Sequence, residues 1–323
     1  MIKLIFTILL VACSTLAPAQ IKQSVVDKVK TYPSSFRQYE KLAEKIKHDF
    51  KTDHDRAAAI FTWIALNIKY DVKAYYSNQQ RSVSYTYSSQ EEKEKKEREL
   101  QEKIARQTLS KSKALCQGYS ELYRILCLSC NIECEVISGY SKTLPRDIGK
   151  TPKYSDHAWN AIKLDEQWYL LDVTWGAGTV NYQTAKFIAD YSPYYFLCPP
   201  ELFFLNHYPD NEQWLLCKKT KNDFIEQALY HGAYLNSAAR IVSPQKGIIT
   251  KASNRTIKIE IANASPHKKY GYYFSNQHYA EPVKGKRIGD NLVLSIPVGN
   301  RKSGYLDIIV DSETIVTYKL KLR

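Results

Sequence analysis

A cysteine, a histidine and an aspartate, in that order along the chain, lie in local settings that suit acyl chemistry. Cys116 begins the segment CQGYSELYRILC, His157 begins HAWNAIKL, and Asp172 ends QWYLLD. A cysteine attacks a carbonyl carbon as the thiolate, and a free thiol has a pKa of about 8.5. A catalytic cysteine therefore needs a helix N-terminus or an imidazole beside it, and the sequence predicts both for Cys116.

The segment after Cys116 has the pattern of a helix with one apolar face. Its apolar residues recur at three- and four-residue spacing, at Tyr119, Leu122, Tyr123, Leu126 and Cys130. We therefore expect Cys116 in the first turn of that helix, where unpaired backbone N–H groups and the helix dipole favour an anionic sulfur. The backbone N–H of Cys116 is the candidate donor to an oxyanion.

His157 and Asp172 are predicted to lie in one β-hairpin, because two apolar-rich runs flank the polar Asp-Glu pair at 165–166. If that pair alone forms the loop, Trp159 faces Asp172, and His157 and Asp172 become diagonal neighbours on one face. The carboxylate could then hold one imidazole nitrogen while the other addresses the thiol. A three-residue loop would put the two side chains on opposite faces.

Each of the three residues also has a purely structural interpretation. A cysteine at a helix start is commonly a small buried apolar residue, and a histidine before a strand is commonly a hydrogen-bonded core residue. Three such residues in compatible local structure favour a functional site over three independent core positions.

These segments resemble the transglutaminase-like superfamily, in the branch related to kyphoscoliosis peptidase and the fungal cytokinesis proteins. The similarity covers roughly Asp53 to Cys217 and includes DHDRAAAIFTWIALNIKYD upstream and YYFLCPPELFFLNHYPDNEQWLLC downstream. The resemblance implies Cys116 as nucleophile, His157 as general base and then acid, and Asp172 as the residue that orients the imidazole. It also implies an α+β, papain-like fold in which the cysteine's helix packs on an antiparallel sheet.

The resemblance favours a peptidase or amidase that forms a thioester at Cys116, with a protein or peptide substrate, cell-envelope peptides included. A protein-glutamine transamidase would use the same triad and stays open as an alternative. A non-catalytic interaction module on the same fold also stays open. The sequence contains no D-x-D-x-D-G loop, which weakens a calcium-activated transglutaminase interpretation.

No cofactor or metal ion is predicted. Cys127, Cys130 and Cys134 have C-x-x-C-x-x-x-C spacing, but the first two lie in the apolar end of the predicted helix and no fourth ligand is suitably spaced. The chain also has no phosphate-binding glycine loop, dinucleotide fingerprint or HExxH motif. His207, in the downstream segment, is interpreted as structural.

A charged insert, at about residues 78–110, precedes the nucleophile. Between Glu91 and Arg106, five pairs of Glu with Lys or Arg are spaced four residues apart, which is typical of an exposed helix. We expect a solvated helix without chemistry of its own. A second hypothesis is that the Tyr- and Ser-rich run from Tyr75 to Tyr87 folds over the cleft and gates the substrate.

Residues 1–19 predict a secretory signal. Lys3 precedes the apolar run 4–12, and Ala-Pro-Ala at 17–19 permits cleavage before Gln20. The run is shorter than the roughly 20 apolar residues of a membrane span, so we expect a periplasmic or extracellular protein. Alternatively, Cys13 in the lipobox-like segment LVAC would become a lipidated N-terminus. No later segment is apolar and long enough to cross a bilayer.

The composition changes near residue 237. We expect a transglutaminase-like domain at 20–236 and a small all-β, sandwich-like domain at 237–323, because short β-rich runs alternate there with turn residues. Residues 240–323 hold 15 Lys or Arg against 6 Asp or Glu, which gives +9 of the net charge of +13.

This basic C-terminal region predicts anionic partners such as envelope polymers, lipid headgroups or acidic protein surfaces. Dispersed lysines that only keep the domain soluble are the alternative. Nucleic acid is not a predicted partner, because no recognition-helix or RNA-binding signature occurs.

Overall fold

The computed structural model describes residues 21–77, 86–181 and 183–323. The predicted signal at 1–19, with Cys13, lies outside the described residues, and so do residues 78–85 of the predicted insert. Within the described ranges, no helix is both long and apolar enough to cross a membrane.

Ten α-helices occupy the described ranges, and the three longest all come before residue 130. Thr52 and Ser89 begin two of these long helices, and each accepts a hydrogen bond from a backbone N–H of the first turn. The helices are α1 (Gln23–Lys30), α2 (Tyr39–Asp49), α3 (Asp53–Asn67), α4 (Val72–Tyr76), α5 (Gln90–Lys111), α6 (Cys116–Ser129), α7 (Val173–Ala177), α8 (Pro200–Phe203), α9 (Lys221–Glu226) and α10 (Gly232–Leu235).

Eight strands belong to the part of the described chain before residue 210. They are β1 (Lys69–Tyr70), β2 (Lys113–Ala114), β3 (Cys134–Ser141), β4 (His157–Leu164), β5 (Gln167–Leu171), β6 (Gly178–Asn181), β7 (Lys186–Ala189) and β8 (His207–Pro209). Four of them form an antiparallel sheet in the order β5-β4-β3-β8. Helix α6 packs against β3 and β4 of this sheet, so the predicted α+β fold is confirmed.

Helix α6 has the predicted apolar face. All five apolar positions singled out in the sequence are fully buried, at Tyr119, Leu122, Tyr123, Leu126 and Cys130. This face packs against α2 and α3 as well as the sheet, and burying each large apolar side chain stabilises the fold by roughly 1.5–3 kcal/mol. The packing fixes the direction of the helix and therefore the place of Cys116, its first residue.

The β4–β5 hairpin has the predicted two-residue loop. Leu164 pairs with Gln167, and Asp165 and Glu166 both have positive φ, of 48° and 62°, as a type I′ turn requires. The predicted pairing of Trp159 with Asp172 is wrong, because β5 ends at Leu171. The Asp172 carboxylate instead accepts a hydrogen bond from a backbone N–H of α7, so Asp172 is the N-cap where the chain turns from strand to helix.

Helix α5 is the charged insert, and it is only partly the solvated helix that the sequence predicts. Ion pairs join Glu92 to Lys96 at 2.6 Å and Glu102 to Arg106 at 2.6 Å, as the four-residue spacing indicates. The C-terminal part of the helix packs on α6, however, and buries Ala105 and Leu109 in the main apolar core. This half of the insert therefore contributes to the fold.

The C-terminal region is all-β apart from short turns, as predicted. Its strands are β9 (Leu229–Tyr230), β10 (Arg240–Ser243), β11 (Ile248–Ile249), β12 (Thr256–Ala262), β13 (Tyr270–Phe274), β14 (Glu281–Pro282), β15 (Lys286–Ile288), β16 (Asn291–Pro297), β17 (Ser303–Val310) and β18 (Glu313–Lys321). One sheet has the order β10-β12-β16-β15 and the other β11-β18-β17-β13-β14, with β9 also paired to β18. Buried side chains of both sheets share one apolar cluster.

The predicted domain boundary at residue 237 stays a prediction. Strand β9 precedes that boundary and pairs with β18, the last strand of the C-terminal region. The chain therefore crosses into the C-terminal sheet before the composition changes.

Candidate active site

Three elements bring the predicted triad residues together. Cys116 is the first residue of α6, His157 is the first residue of β4, and Asp172 is the N-cap of α7. All three are buried, with 5%, 9% and 0% of their surfaces exposed. Residues far apart in sequence thus meet at the ends of the central elements, while the catalytic roles assigned to them remain predictions.

His157 and Asp172 form a short hydrogen bond. Nε2 of His157 lies 2.7 Å from Oδ2 of Asp172, which leaves Nδ1 of the ring for the thiol of Cys116. Burial lowers the pKa of His157, but the charge and hydrogen bond of Asp172, with a smaller contribution from Cys116, outweigh it and raise that pKa to about 10. The ring is therefore cationic near neutral pH.

The charge on Asp172 is strongly stabilised despite its burial. Burial alone would raise the pKa of this carboxyl, but the charges and hydrogen bonds of His157 and His207 hold the pKa well below its usual range. An anionic carboxylate stabilises the cationic form of the imidazole, so the proton of a thiol has a stable place on the ring. The arrangement can therefore support a thiolate–imidazolium pair at Cys116.

His207 is a site residue that sequence reasoning missed. Its Nε2 lies 3.0 Å from Oδ2 of Asp172, and its Nδ1 lies 3.2 Å from the backbone oxygen of Phe203. The ring is buried and hydrogen-bonded, which agrees with the structural interpretation, but its partner is the triad carboxylate. No local pattern could have found this pair, because the two residues are 35 positions apart and only the sheet joins them.

Gly139 explains how β8 brings His207 so close. Gly139 on β3 pairs with His157 on one side and with Pro209 on the other. A Cβ at this position would lie 2.3 Å from the backbone oxygen of Tyr208 and 2.5 Å from the Trp159 ring. Only glycine allows the three strands to approach at this point without a shift of the backbone.

Aromatic rings enclose the imidazole of His157. The ring centroid of Trp159 lies 6.0 Å from that of His157, and the centroids of Trp175 and His207 both lie 5.5 Å away. Rings at these distances exclude water from the His157–Asp172 pair, which strengthens the electrostatic interaction.

A cleft of about 870 Å³ opens beside His157. Its wall includes Trp175 from α7 and Tyr75 and Tyr76 from α4, together with His231 and Glu313 from the C-terminal region. The volume falls in the range of ligand-binding clefts. The two tyrosines begin the run proposed as a substrate gate, and the middle of that run, residues 78–85, lies outside the described residues.

Two polar groups near His157 can contact a substrate. The Thr174 hydroxyl is buried and lines the cleft, and it has no hydrogen-bond partner in the described part of the chain. Because α6 begins at Cys116, the N–H of that residue has no partner within the helix. Both groups can donate to a bound carbonyl oxygen.

The metal-binding capacity of the site is limited by its hydrogen bonds. Among the described residues, His157, Asp172 and His207 offer ligand atoms within 4.8 Å of one another. The contacts of 2.7 Å and 3.0 Å between them are hydrogen-bond lengths, so a proton occupies each. The other sequence candidates, Cys127 and its neighbours Cys130 and Cys134, are free thiols buried in the apolar core.

Comparison with known proteins identifies a family and several relatives of this chain. The sequence model of the transglutaminase-like superfamily matches residues 73–173. The kyphoscoliosis peptidase of Mus musculus is 31% identical over 223 residues, which cover 68% of this chain and 31% of that protein. The Homo sapiens protein is 30% identical over 225 residues, with the same coverage of 68% and 31%. The chain thus spans about a third of the length of these relatives.

A solved structure described as a TGase is 18% identical, covering 47% of this chain and 32% of that chain with a TM-score of 0.28. The family match spans the charged helix α5, the helix α6 that begins at Cys116 and the β4–β5 hairpin, and it ends one residue beyond Asp172. Through residues 73–173, the chain therefore belongs to the transglutaminase-like superfamily.

Proposed function

We propose that the protein is a cysteine-dependent acyl-transfer enzyme that acts as a peptidase or amidase through a thioester at Cys116. The observation that carries this proposal is the buried His157–Asp172 pair, with 2.7 Å between Nε2 and Oδ2, beside a cysteine at a helix N-terminus. A structural role for the three residues would not require a strongly raised pKa at His157.

The reaction follows from where the protons can reside. In the resting thiolate–imidazolium pair the proton of the Cys116 thiol already lies on His157, and the thiolate attacks the carbonyl carbon of an amide. The imidazolium then gives its proton to the departing amine, and the acyl group remains on sulfur as a thioester. His157 next takes a proton from water, whose oxygen attacks the thioester, so that the acid leaves and the thiolate–imidazolium pair returns.

Transfer to an amine is the second candidate outcome of the same chemistry. A lysine amine that replaces water in the second half of the reaction would give transamidation, with the same proton transfers at His157. The cleft of about 870 Å³ is open enough for a peptide segment on the acyl side. The acceptor is therefore the part of the proposal that needs a direct test.

Alkylation of the thiol tests whether the site is chemically poised. Iodoacetamide near neutral pH should react fast and selectively with Cys116 in the wild type, and at least about tenfold more slowly in His157→Ala. Cys116→Ala identifies the labelled residue by mass spectrometry of the digest. Labelling at an ordinary thiol rate that His157→Ala leaves unchanged would instead support a non-catalytic interaction module.

Substrates can be distinguished with three assays run on wild type and Cys116→Ala. Cleavage of casein supports a peptidase, incorporation of an amine into a glutamine peptide supports a transamidase, and cleavage of peptidoglycan fragments supports a cell-envelope amidase. Each activity counts only if Cys116→Ala abolishes it. A poised thiol without turnover of any of the three classes would contradict the proposed substrates and leave the labelling result intact.

The place of action is proposed to be outside the cytoplasm. Support comes from the apolar run 4–12 and the small-residue site at 17–19, together with the basic C-terminal region, which suits anionic envelope surfaces. A peptidase in that compartment would meet envelope peptides and secreted proteins.

A further inference from the structure

The Asp172 carboxylate serves two histidines through one oxygen atom. Oδ2 lies 2.7 Å from Nε2 of His157 and 3.0 Å from Nε2 of His207, while Oδ1 accepts the backbone N–H of Trp175 at 3.0 Å. Asp172, His157 and His207 are all buried. The carboxylate thus has three donors, and two of them compete for the same oxygen.

The partners of His207 define where its ring hydrogen must be. Nε2 faces a carboxylate and Nδ1 faces the Phe203 carbonyl oxygen, and both are acceptors. A neutral imidazole carries one ring hydrogen, and the bond to the charged oxygen is the stronger of the two. The hydrogen therefore belongs on Nε2, pointing at Asp172, and the contact at Nδ1 gains a hydrogen only in the cationic ring.

Packing holds the His207 ring in this orientation. The ring stacks on Phe203 with 4.0 Å between centroids and an interplanar angle of 19°. The rings of Trp175 and Trp159 lie 4.4 Å and 5.1 Å from it. A ring enclosed in this way cannot swing aside, so it presents a fixed donor to the carboxylate.

We propose that His207 is a positioning residue of the reaction centre, which donates a second hydrogen bond to the Asp172 oxygen used by His157 and thereby limits how strongly that carboxylate stabilises the His157 imidazolium. The inference rests on the proposed function in assigning Cys116 as the nucleophile. It adds a fourth residue to the three that the sequence indicates.

The benefit lies in the step in which the His157 imidazolium acts as an acid toward the departing amine. A general acid must release its proton to the departing amine, here the proton on Nδ1, and a carboxylate that serves a single imidazole through Nε2 would stabilise the cationic ring so strongly that this release becomes difficult. A second donor on the same oxygen draws off part of its charge. His207 thus keeps His157 able to act in both directions.

Several titratable groups surround His157 and Asp172. The titratable groups that interact with its ring or with Asp172 come from α6, the loop before β4, the turn before α8 and β8; they are Cys116, Tyr119, Asp156, Tyr195 and His207. Of these, His207 is the histidine that shares the carboxylate, so its replacement isolates the proposed effect.

Two substitutions at this position separate hydrogen bonding from packing. His207→Phe keeps an aromatic ring on Phe203 but removes the donor, and His207→Gln places an uncharged amide N–H where Nε2 lies. The ring nitrogens of His157 are followed by ¹⁵N NMR as the pH is raised, and the Cys116 alkylation rate is measured over the same range. Neither readout requires turnover, so a failed substrate assay would not obscure the result.

In His207→Phe, the His157 ring should lose its proton at a pH at least one unit higher than in the wild type. The high-pH step in the pH dependence of the Cys116 alkylation rate should shift upward by the same amount. His207→Gln should restore most of the wild-type profile. His54→Phe is the matched control, because it removes another histidine that hydrogen-bonds an aspartate, Asp165, outside the cleft lining, and it should leave the titration in place.

An unchanged titration in a folded His207→Phe protein would overturn the proposal, and so would a shift to lower pH. Failure of His207→Gln to restore the profile in a folded protein would assign the effect to ring packing and would also contradict it. If His207→Phe does not fold, His207→Leu, which also removes the donor, takes its place and should show the same upward shift, and an unchanged titration in that variant would overturn the proposal.

Discussion

The hydrogen bonds of Asp172 define the site at the scale of single residues. This carboxylate caps α7 through Trp175, holds the His157 ring at 2.7 Å and accepts from His207. The cap requires an oxygen at the strand end, and the imidazole requires a negative charge there, so one side chain meets a structural and a chemical demand. An aspartate at a helix N-cap thus does not argue against a functional role.

Asp172→Asn should uncouple these two demands. Asparagine still caps the helix, because its side-chain oxygen can accept the Trp175 N–H, but the charge that raises the pKa of His157 is gone. Burial then lowers that pKa, so the ring no longer keeps its proton up to a pH of about 10 as in the wild type. We expect Cys116 alkylation near neutral pH to fall at least about tenfold, with a small change in thermal stability.

Asp156→Asn provides the comparison for that experiment. Asp156 adjoins His157 in sequence but accepts hydrogen bonds from the backbone N–H and hydroxyl of Ser141. Its loss should change the alkylation rate by less than about threefold, because an exposed neighbouring charge is screened by water. A larger effect than that of Asp172→Asn would mean that the wrong carboxylate has been assigned.

At the scale of elements, the local sequence pattern predicted a helix and a hairpin, because both depend on residues close together in the chain. The apolar spacing after Cys116 gave the helix and its buried face, and the polar pair at 165–166 gave the hairpin register. The end of β5 was not predicted, since a capping hydrogen bond to Trp175 overrides strand pairing at Asp172. The contact of His207 with the site depends on the order β5-β4-β3-β8, which no local pattern specifies.

The β4–β5 turn offers a test of that register. Glu166 has a φ of 62°, and a side chain in the left-handed region costs about 1 kcal/mol that glycine avoids. Glu166→Gly should therefore stabilise the protein by about 0.5–1 kcal/mol in urea unfolding, although the exposed ion pair with Lys163 is lost. Glu166→Ala loses the same ion pair but keeps a Cβ and should give no gain. Equal effects of the two changes would show that the turn differs from the one described.

At the scale of the whole molecule, the cleft belongs to both parts of the chain. Trp175 and Tyr75 come from the region before residue 210, whereas His231 and Glu313 come from the C-terminal region. Strand β9 joins the two through its pairing with β18. The composition change at residue 237 therefore marks a change in strand content and does not separate the cleft from the C-terminal sheets.

The proposed export makes a prediction for a chain that includes residues 1–19. Expressed in a bacterial host with its first 19 residues, the protein should be recovered outside the cytoplasm. Its mass should be that of a chain whose first residue is Gln20. A lipidated form that begins at Cys13 would support the lipobox alternative. Replacing Leu9 and Leu10 with lysines should hold the chain in the cytoplasm at full mass, and cleavage that persists in this variant would count against the signal.

Release of the envelope-bound protein should depend on salt if the basic C-terminal region makes the contact. Raising the ionic strength from 0.05 to 0.5 M should free most of it, because the Debye length falls to a few ångströms, about 4 Å at 0.5 M. Binding that salt leaves unchanged would contradict an electrostatic contact.

The pairing of β9 with β18 ties the rim of the cleft to the tail of the chain, while the sulfur, the imidazole and the carboxylate sit on elements that the tail does not form. Under the proposed function, sequence changes in the C-terminal region can therefore alter which substrates enter the cleft without moving Cys116, His157 or Asp172. Related chains that diverge after residue 230 would then share the proposed reaction and differ in their substrates.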